Sequence, residues 1–314
     1  MQYRVLVDVD LPDEIPEMMN NRCELHILAH GDVSDEKFAS AQGLLTYGHM
    51  IVDGDFMDRM PNLKVISNFG VGVDHIDLSA AKQRGIPVGN TPNMLDGATA
   101  DMTFAMLMAA ARNIVIGDRF ARSEAFTHYD PRILIGHEIH GTTLGIIGMG
   151  NIGRQVARRA KGFDMNVLYH NRKPDPKSEV ELGATYVSLN DLLEQSDFVT
   201  LNVPLTEETR NMIGRDQLRR MKRTAILVNL ARGGVIDHDA LVEALENNWI
   251  AVAALDVTEP EPLPRDHPLL SMDNVVIVPH LGSATRQTRI AMAQRTVDNL
   301  IAGLTDQPLI TYVV

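Results

Sequence analysis

The sequence predicts an α/β protein built on parallel sheets. Three observations carry that expectation. Around residues 143–172 an apolar run (144–147), a glycine turn, a helical pattern and a second apolar run (167–169) follow one another. Short apolar runs alternate with helical segments along the rest of the chain, the pattern of strands joined by crossover helices. The 314 residues are 45% apolar, without repeats or low-complexity stretches, enough for two domains with cores of their own.

The central stretch is the most specific. Gly148, Gly150 and Gly153 stand at G-x-G-x-x-G spacing between strand and helix. Gly148 allows the tight turn, Gly150 lets a pyrophosphate approach the backbone, and Gly153 lets the helix pack against the strand. The open amides and positive dipole end of the new helix then face the diphosphate. Glycine turns are common, and it is the strand–turn–helix context that reads as a dinucleotide site.

The other elements follow in order. Residues 4–9, 25–29, 44–47 and 65–67 read as strands, with a proline-marked loop at 12–16. The fourth strand leads into the turn Gly70-Val71-Gly72. A helix over 78–84 stops at Gly85, and 86–88 is another strand. These first residues form one α/β unit, whose ligand loops belong at the C-terminal strand ends. Residues 99–112 make a helix apolar on nearly every side, fit to join domains or to form a subunit interface. Residues 123–140 have weak periodicity and read as a loop or short helical turns. Pro174 and Pro176 mark a turn. Helices are expected at 189–196 (with Asn190 as a cap), 215–221, 239–247 and within 282–303, and strands at 198–203, 225–230, 251–255 and 275–278.

Composition narrows the function. A net charge of −12 argues against nucleic acid or an acidic membrane as partner. Cys23, the only cysteine, excludes an internal disulfide and reads as a buried packing residue. No Cys/His spacing suggests a metal. The N-terminus begins on a strand pattern, and no apolar run approaches the roughly 18 residues of a membrane span, so a cytoplasmic protein is expected.

Three ionisable residues lie just beyond expected strands: Arg232, Glu261 and His280. In a doubly wound sheet such ends converge on the nucleotide crevice. An arginine there can hold a carboxylate through two parallel hydrogen bonds. A histidine can pass a proton to a carbonyl oxygen, and a carboxylate beside it orients the ring and favours its charged form.

At these residues the chain resembles the D-isomer-specific 2-hydroxyacid dehydrogenases. The matching stretches are Gly70-Val71-Gly72-Val73-Asp74-His75-Ile76-Asp77, the glycine motif, Ala231-Arg232-Gly233-Gly234-Val235-Ile236-Asp237, Leu255-Asp256-Val257 with Glu261-Pro262, and Pro279-His280-Leu281-Gly282-Ser283-Ala284-Thr285. They span most of the chain in the family's order. Within the family the likeness is greatest to glyoxylate/hydroxypyruvate reductases. The resemblance implies two Rossmann-like or flavodoxin-like parallel-sheet domains: a doubly wound coenzyme domain (99–286) inserted in a substrate domain (1–98 and 287–314). It implies that Arg232 holds the substrate carboxylate with Val71, Gly72 and Ser283, and that His280 is the acid/base, paired with Glu261. It further implies cofactor contacts from Asn151, Ile152, Val203, Pro204, Thr209, Leu230, Ala231, Asp256, His280 and Gly282. Reduction of a 2-oxo acid by hydride transfer and a homodimer through the coenzyme domain are the corresponding expectations. Some reductases of this group carry a tryptophan in a loop reaching the neighbouring subunit; 123–140 has Phe126 and Tyr129 instead. Dehydrogenases of 2-ketogluconate or phosphoglycerate type, and dinucleotide-sensing corepressors, share the same set and are the alternatives.

The cofactor expected is NADPH, with NADH as the weaker alternative. NAD-preferring sites place an acidic residue about 20 residues past the glycine motif, on the ribose 2′-hydroxyl. Here Asn171 stands there, followed by Arg172 and Lys173. The Arg172 guanidinium can grip a 2′-phosphate, and Lys173 adds charge.

Overall fold

The structure is a computed structural model and describes residues 2–12, 14–31, 33–47 and 50–314. The chain divides into two compact units, Met1–Leu95 with Thr285–Val314, and Asp96–Ala284. These limits fall slightly before the expected 98 and 286, for two local reasons. The linking helix already begins at Asp96, and the Thr285 side chain caps the last helix by accepting from the Thr288 amide.

The first unit runs β1 (Tyr3–Val7), α1 (Glu14–Met18), β2 (Cys23–Ile27), α2 (Asp35–Ser40), β3 (Gly43–Thr46), α3 (Gly54–Asp58), β4 (Val65–Asn68), α4 (Leu78–Gln83) and β5 (Val88–Gly89). Its strands form one parallel sheet in the order β2-β1-β3-β4-β5. Residues 14–16 of the expected loop at 12–16 are instead the start of α1. Pro16 sits in the first helical turn, where a missing N–H costs nothing; Asp13 lies outside the described residues. The strand expected at 86–88 is displaced to Val88–Gly89, since Pro87 cannot donate to a ladder. Cys23 is half-buried on the edge strand β2 and not fully packed.

The second unit runs α5 (Asp96–Ala111), α6 (Ile114–Arg122), β6 (Thr143–Ile147), α7 (Asn151–Ala160), β7 (Asn166–His170), α8 (Pro176–Leu182), β8 (Thr185–Tyr186), α9 (Leu189–Gln195), β9 (Phe198–Leu201), α10 (Arg215–Arg220), β10 (Ile226–Asn229), α11 (His238–Glu246), β11 (Val252–Leu255) and β12 (Val275–Ile277). The chain then returns to the first unit as α12 (Arg286–Leu304). The seven strands are parallel in the order β12-β11-β10-β9-β6-β7-β8, so the winding reverses between β6 and β9. The turn expected at Pro174–Pro176 is the entry to α8: Pro176 begins the helix, and Asp175 caps it by accepting from the Ser178 amide. Helix α9 is capped by Ser188, not Asn190, because the helix starts one residue before Asn190.

Period-two alternation builds both cores. Leu144 and Ile146 face Val156, Ala157 and Ala160 of α7 and Phe104 and Leu107 of α5, whereas Ile147 faces Leu192, Leu218 and Leu241. Gly145 is required here: a Cβ would lie 2.3 Å from Ser196 Oγ. In the first unit, α12 packs on β4, where Ser67 Oγ donates to the Thr296 carbonyl at 2.8 Å. Among the described residues no single helix is long and apolar enough to cross a membrane, and no cluster of His, Cys, Asp or Glu is placed to hold a metal.

Candidate active site

The glycine turn sits at the C-terminal end of β6, beside the reversal point of the sheet. Gly148 has φ of +98°, which L side chains rarely adopt, and a Cβ there would lie 2.6 Å from the Asn202 carbonyl oxygen. A Cβ at Gly153 would lie 2.1 Å from the Gly148 carbonyl oxygen, so only glycine lets α7 start so close to β6. At Gly150, by contrast, a Cβ would meet nothing within 4 Å: the space above the helix start is open. A closed turn with one open side is what a diphosphate needs, and the residues present therefore fit a dinucleotide. Asn151 and Ile152 open α7, and the Asn151 side chain bonds Asp96. Val203 lies against Gly148. Pro204 and Thr209 belong to one loop, which Thr209 Oγ1 fastens by donating to the Pro204 carbonyl at 2.6 Å.

Asn171 has a part that sequence alone did not show. Its Oδ1 accepts from the Met149 amide at 2.7 Å, so the residue past β7 braces the glycine turn. Arg172 and Lys173 are exposed beside it. The Thr206 hydroxyl holds the Glu208 carboxyl below the usual glutamate range, and the Arg172 charge acts in the same direction.

The three ionisable residues sit as expected past strand ends. Leu230 is buried and Ala231 half-buried after β10. Asn229, the last residue of β10, grips the following turn from both sides: its Nδ2 donates to the Arg232 carbonyl at 2.9 Å and its Oδ1 accepts from the Ala231 amide at 3.0 Å. Gly233 and Gly234 press on the loop after β11, a Cβ at Gly233 lying 2.0 Å from the Thr258 carbonyl carbon. In that loop the Glu261 Oε1 and His280 Nδ1 are 2.7 Å apart.

His280 itself has φ of +54°, in the left-handed region that residues other than glycine seldom adopt. Asp256, 2% exposed, holds it there. The His280 amide donates to the Asp256 carbonyl at 2.9 Å, the Leu281 amide to Oδ1, and the Gly282 amide to Oδ2 at 2.8 Å. Burial pushes the Asp256 carboxyl up from the usual aspartate range; the Leu281 amide, the His280 charge and the Gly282 amide oppose that push. Ser283 follows, half-buried.

In the first unit, Gly70-Val71-Gly72 follows β4. Asn68 Nδ2 donates to the Gly70 and Gly72 carbonyls at 3.0 and 2.9 Å, and Asn90 Nδ2 to that of Val71 at 2.9 Å. All three carbonyls of the turn are thereby fixed. Asn68, Asn90 and Asn229 were not among the expected site residues.

Comparison with known proteins identifies the family. Residues 104–282 match the family model described as D-isomer specific 2-hydroxyacid dehydrogenase, NAD binding domain. The chain belongs to this family. As a family member it takes a nicotinamide dinucleotide. It is 52% identical over 308 residues to a glyoxylate reductase of Korarchaeum cryptofilum (strain OPF8), covering 96% of this chain and 93% of that one. It is 48% identical over 271 residues to a glyoxylate reductase of Pyrococcus furiosus, covering 85% and 80%. Among solved structures it resembles a protein of Thermus thermophilus (TM-score 0.91, 44% identity, 99% and 100% covered). It also resembles an NADPH-dependent glyoxylate/hydroxypyruvate reductase of Sinorhizobium meliloti in complex with NADP and malonate (TM-score 0.90, 32% identity, 100% and 97% covered).

Proposed function

We propose that this dehydrogenase reduces glyoxylate and hydroxypyruvate to the corresponding D-2-hydroxy acids, with NADPH preferred. The 2.7 Å contact between Glu261 and His280 carries the reading, because it gives a proton donor its orientation. The dinucleotide, when bound, supplies the hydride that reduces the 2-oxo carbon. Arg232 grips the substrate carboxylate, held in place by Asn229. The amides of Val71 and Gly72 and the Ser283 side chain are assigned to substrate as well. His280 donates its Nε2 proton to the oxygen that becomes the hydroxyl, while Glu261 accepts from Nδ1–H and keeps the ring in register. Asn151 and Ile152 offer amides to the diphosphate, with Val203, Pro204, Thr209, Leu230, Ala231, Asp256 and Gly282 around the rest of the dinucleotide.

Preference for NADPH rests on Arg172 and Lys173 and on the absence of an acid at Asn171. A charge-assisted bond to the 2′-phosphate is worth roughly ten- to a hundredfold in affinity. The names of the relatives support glyoxylate as substrate, and one structural relative is described as NADPH-dependent. The deciding experiment is a steady-state screen of glyoxylate, hydroxypyruvate, pyruvate and 2-ketogluconate with each dinucleotide. Highest kcat/KM for glyoxylate or hydroxypyruvate with NADPH is expected. A preference for 2-ketogluconate, or no turnover of any, overturns the reading.

A further inference from the structure

Arg210 and Glu259 lie outside the residues assigned so far, yet they join the loops that carry them. Arg210 follows Thr209 in the loop after β9, and Glu259 stands two residues before Glu261 in the loop after β11. Arg210 Nη1 is 3.0 Å from Glu259 Oε1 and 2.9 Å from Oε2. The pair rests on Gly234, where a Cβ would lie 2.3 Å from Glu259 Oε2 and 3.1 Å from Arg210 Nη1. Neither Gly233 nor Gly234 has a left-handed φ, so the backbone conformation does not demand glycine at either place. The neighbours do: the backbone of Thr258 and Glu259 over Gly233, and the ion pair over Gly234.

Backbone bonds extend the join. The Asn211 amide donates to the Gly234 carbonyl at 2.8 Å and the Ile213 amide to that of Val235 at 3.1 Å. On the other side the Thr258 amide reaches Glu261 Oε2 at 3.4 Å, and Glu261 Oε1 meets His280. One ion pair thus spans from the Pro204–Thr209 loop, across the glycines that follow Arg232, to the carboxylate that orients His280.

We propose that Arg210 and Glu259 are a positioning pair for the reduction, fixing the Glu261 loop against the Arg232 turn and the Thr209 loop. The proposal rests on the roles given above to Arg232, Glu261 and His280. Both side chains are about half exposed (50% and 44%), and a surface pair of this kind does little for fold stability. Its effect falls on geometry, where a displacement of about an ångström can cost up to ~10²-fold in rate.

The test is a double-mutant cycle in the full chain: E259Q, R210Q and R210Q/E259Q, with glyoxylate and saturating NADPH. Each single variant is expected to lose about tenfold in kcat while KM for glyoxylate stays within about threefold. The double variant should lose no more than the worse single one, because one interaction is removed in all three. Tm should stay within about 2 °C of the parent. Full kcat in either single variant, additive losses in the double one, or a kcat loss that follows a falling Tm overturns the positioning pair. An inactive parent, or a His280→Ala variant as active as the parent, instead overturns the reading beneath it.

Discussion

His280 combines a left-handed backbone with a side chain 2.7 Å from a carboxylate, and the strain is held by Asp256. If it is the proton donor, His280→Ala should lower kcat by ~10²–10⁴. Arg232→Ala should instead act on substrate affinity, raising KM for glyoxylate roughly ten- to a hundredfold with dinucleotide affinity little changed. Near-parental kinetics in either variant would remove that residue from the mechanism. Cys23 allows a pH-dependent check. Burial pushes its thiol up from 9.0 to about 11, against a smaller opposing pull from Arg22. The folded state therefore favours the neutral thiol. That contribution to stability is complete below the unfolded value near 9 and is lost as pH rises through about 11. At pH 8 the native thiol should react with a disulfide reagent more slowly than the same thiol in denaturant; equal rates would contradict the burial. That Arg232, Glu261 and His280 lie beyond strand ends was legible in the sequence, because each comes after an apolar run of strand length. Asn68, Asn90 and Asn229 were not. A lone asparagine after a strand reads as a turn residue, and nothing in the order of residues tells which carbonyls it will hold.

The βαβ element of β6, α7 and β7 was legible for a comparable reason: its glycines are spaced by a requirement of the backbone. Short polar helices such as α2, α3 and α8 left no periodic trace, and the capped entries to α8 and α9 were misread by a residue or more. Contact of Asn171 with the Met149 amide also changes what a cofactor switch requires. Asp at 171 keeps the acceptor that braces the turn and adds the charge that repels a 2′-phosphate. Asn171→Asp with Arg172→Ala is therefore expected to retain the fold and to move the kcat/KM ratio toward NADH by about ten- to a hundredfold. Glu208 feels the Arg172 charge, so if Arg172 holds the 2′-phosphate, Glu208→Gln should move the ratio the other way. A ratio unchanged in both variants would show that Arg172 does not read the 2′ position. Helix α6 was not singled out in the sequence, and 123–140 reads as a loop or short helical turns; together they place Ile114, Phe126, Tyr129 and Ile135 at the surface. Exposed apolar side chains of this size are the candidates for the expected subunit contact. If the expected homodimer forms through this surface, Ile135→Asp should reduce the mass seen by light scattering from dimer to monomer; a parent that is already monomeric rejects the contact.

At the level of the whole molecule, the two-sheet architecture could be expected from the alternation of strands and helices, and the return of the chain to its first unit only from the family resemblance. No local pattern shows that α12 belongs with β4. The structure shows how closely it does. A Cβ on Gly303 would lie 2.4 Å from Val65 Cβ, and Asn299 reaches the Asn90 carbonyl and the Thr311 hydroxyl at 3.2 and 2.8 Å. Val88 exchanges backbone hydrogen bonds with Val313 and Val314, at 2.8 Å each.

That stitching sets an order of events on the ribosome. The nascent chain delivers residues 1–95 first, but the helix that covers their sheet is translated only after residues 96–284 have been made, on the order of 10–40 s later. For that interval the face of β3 and β4 awaiting α12 lacks its cover, while the second unit already has every strand of its own sheet. The unit made first is thus finished last. A chain ending at residue 284 should show protease resistance across 96–284 and rapid cleavage within 1–95; equal resistance of the two would mean that the early segment closes without its helix.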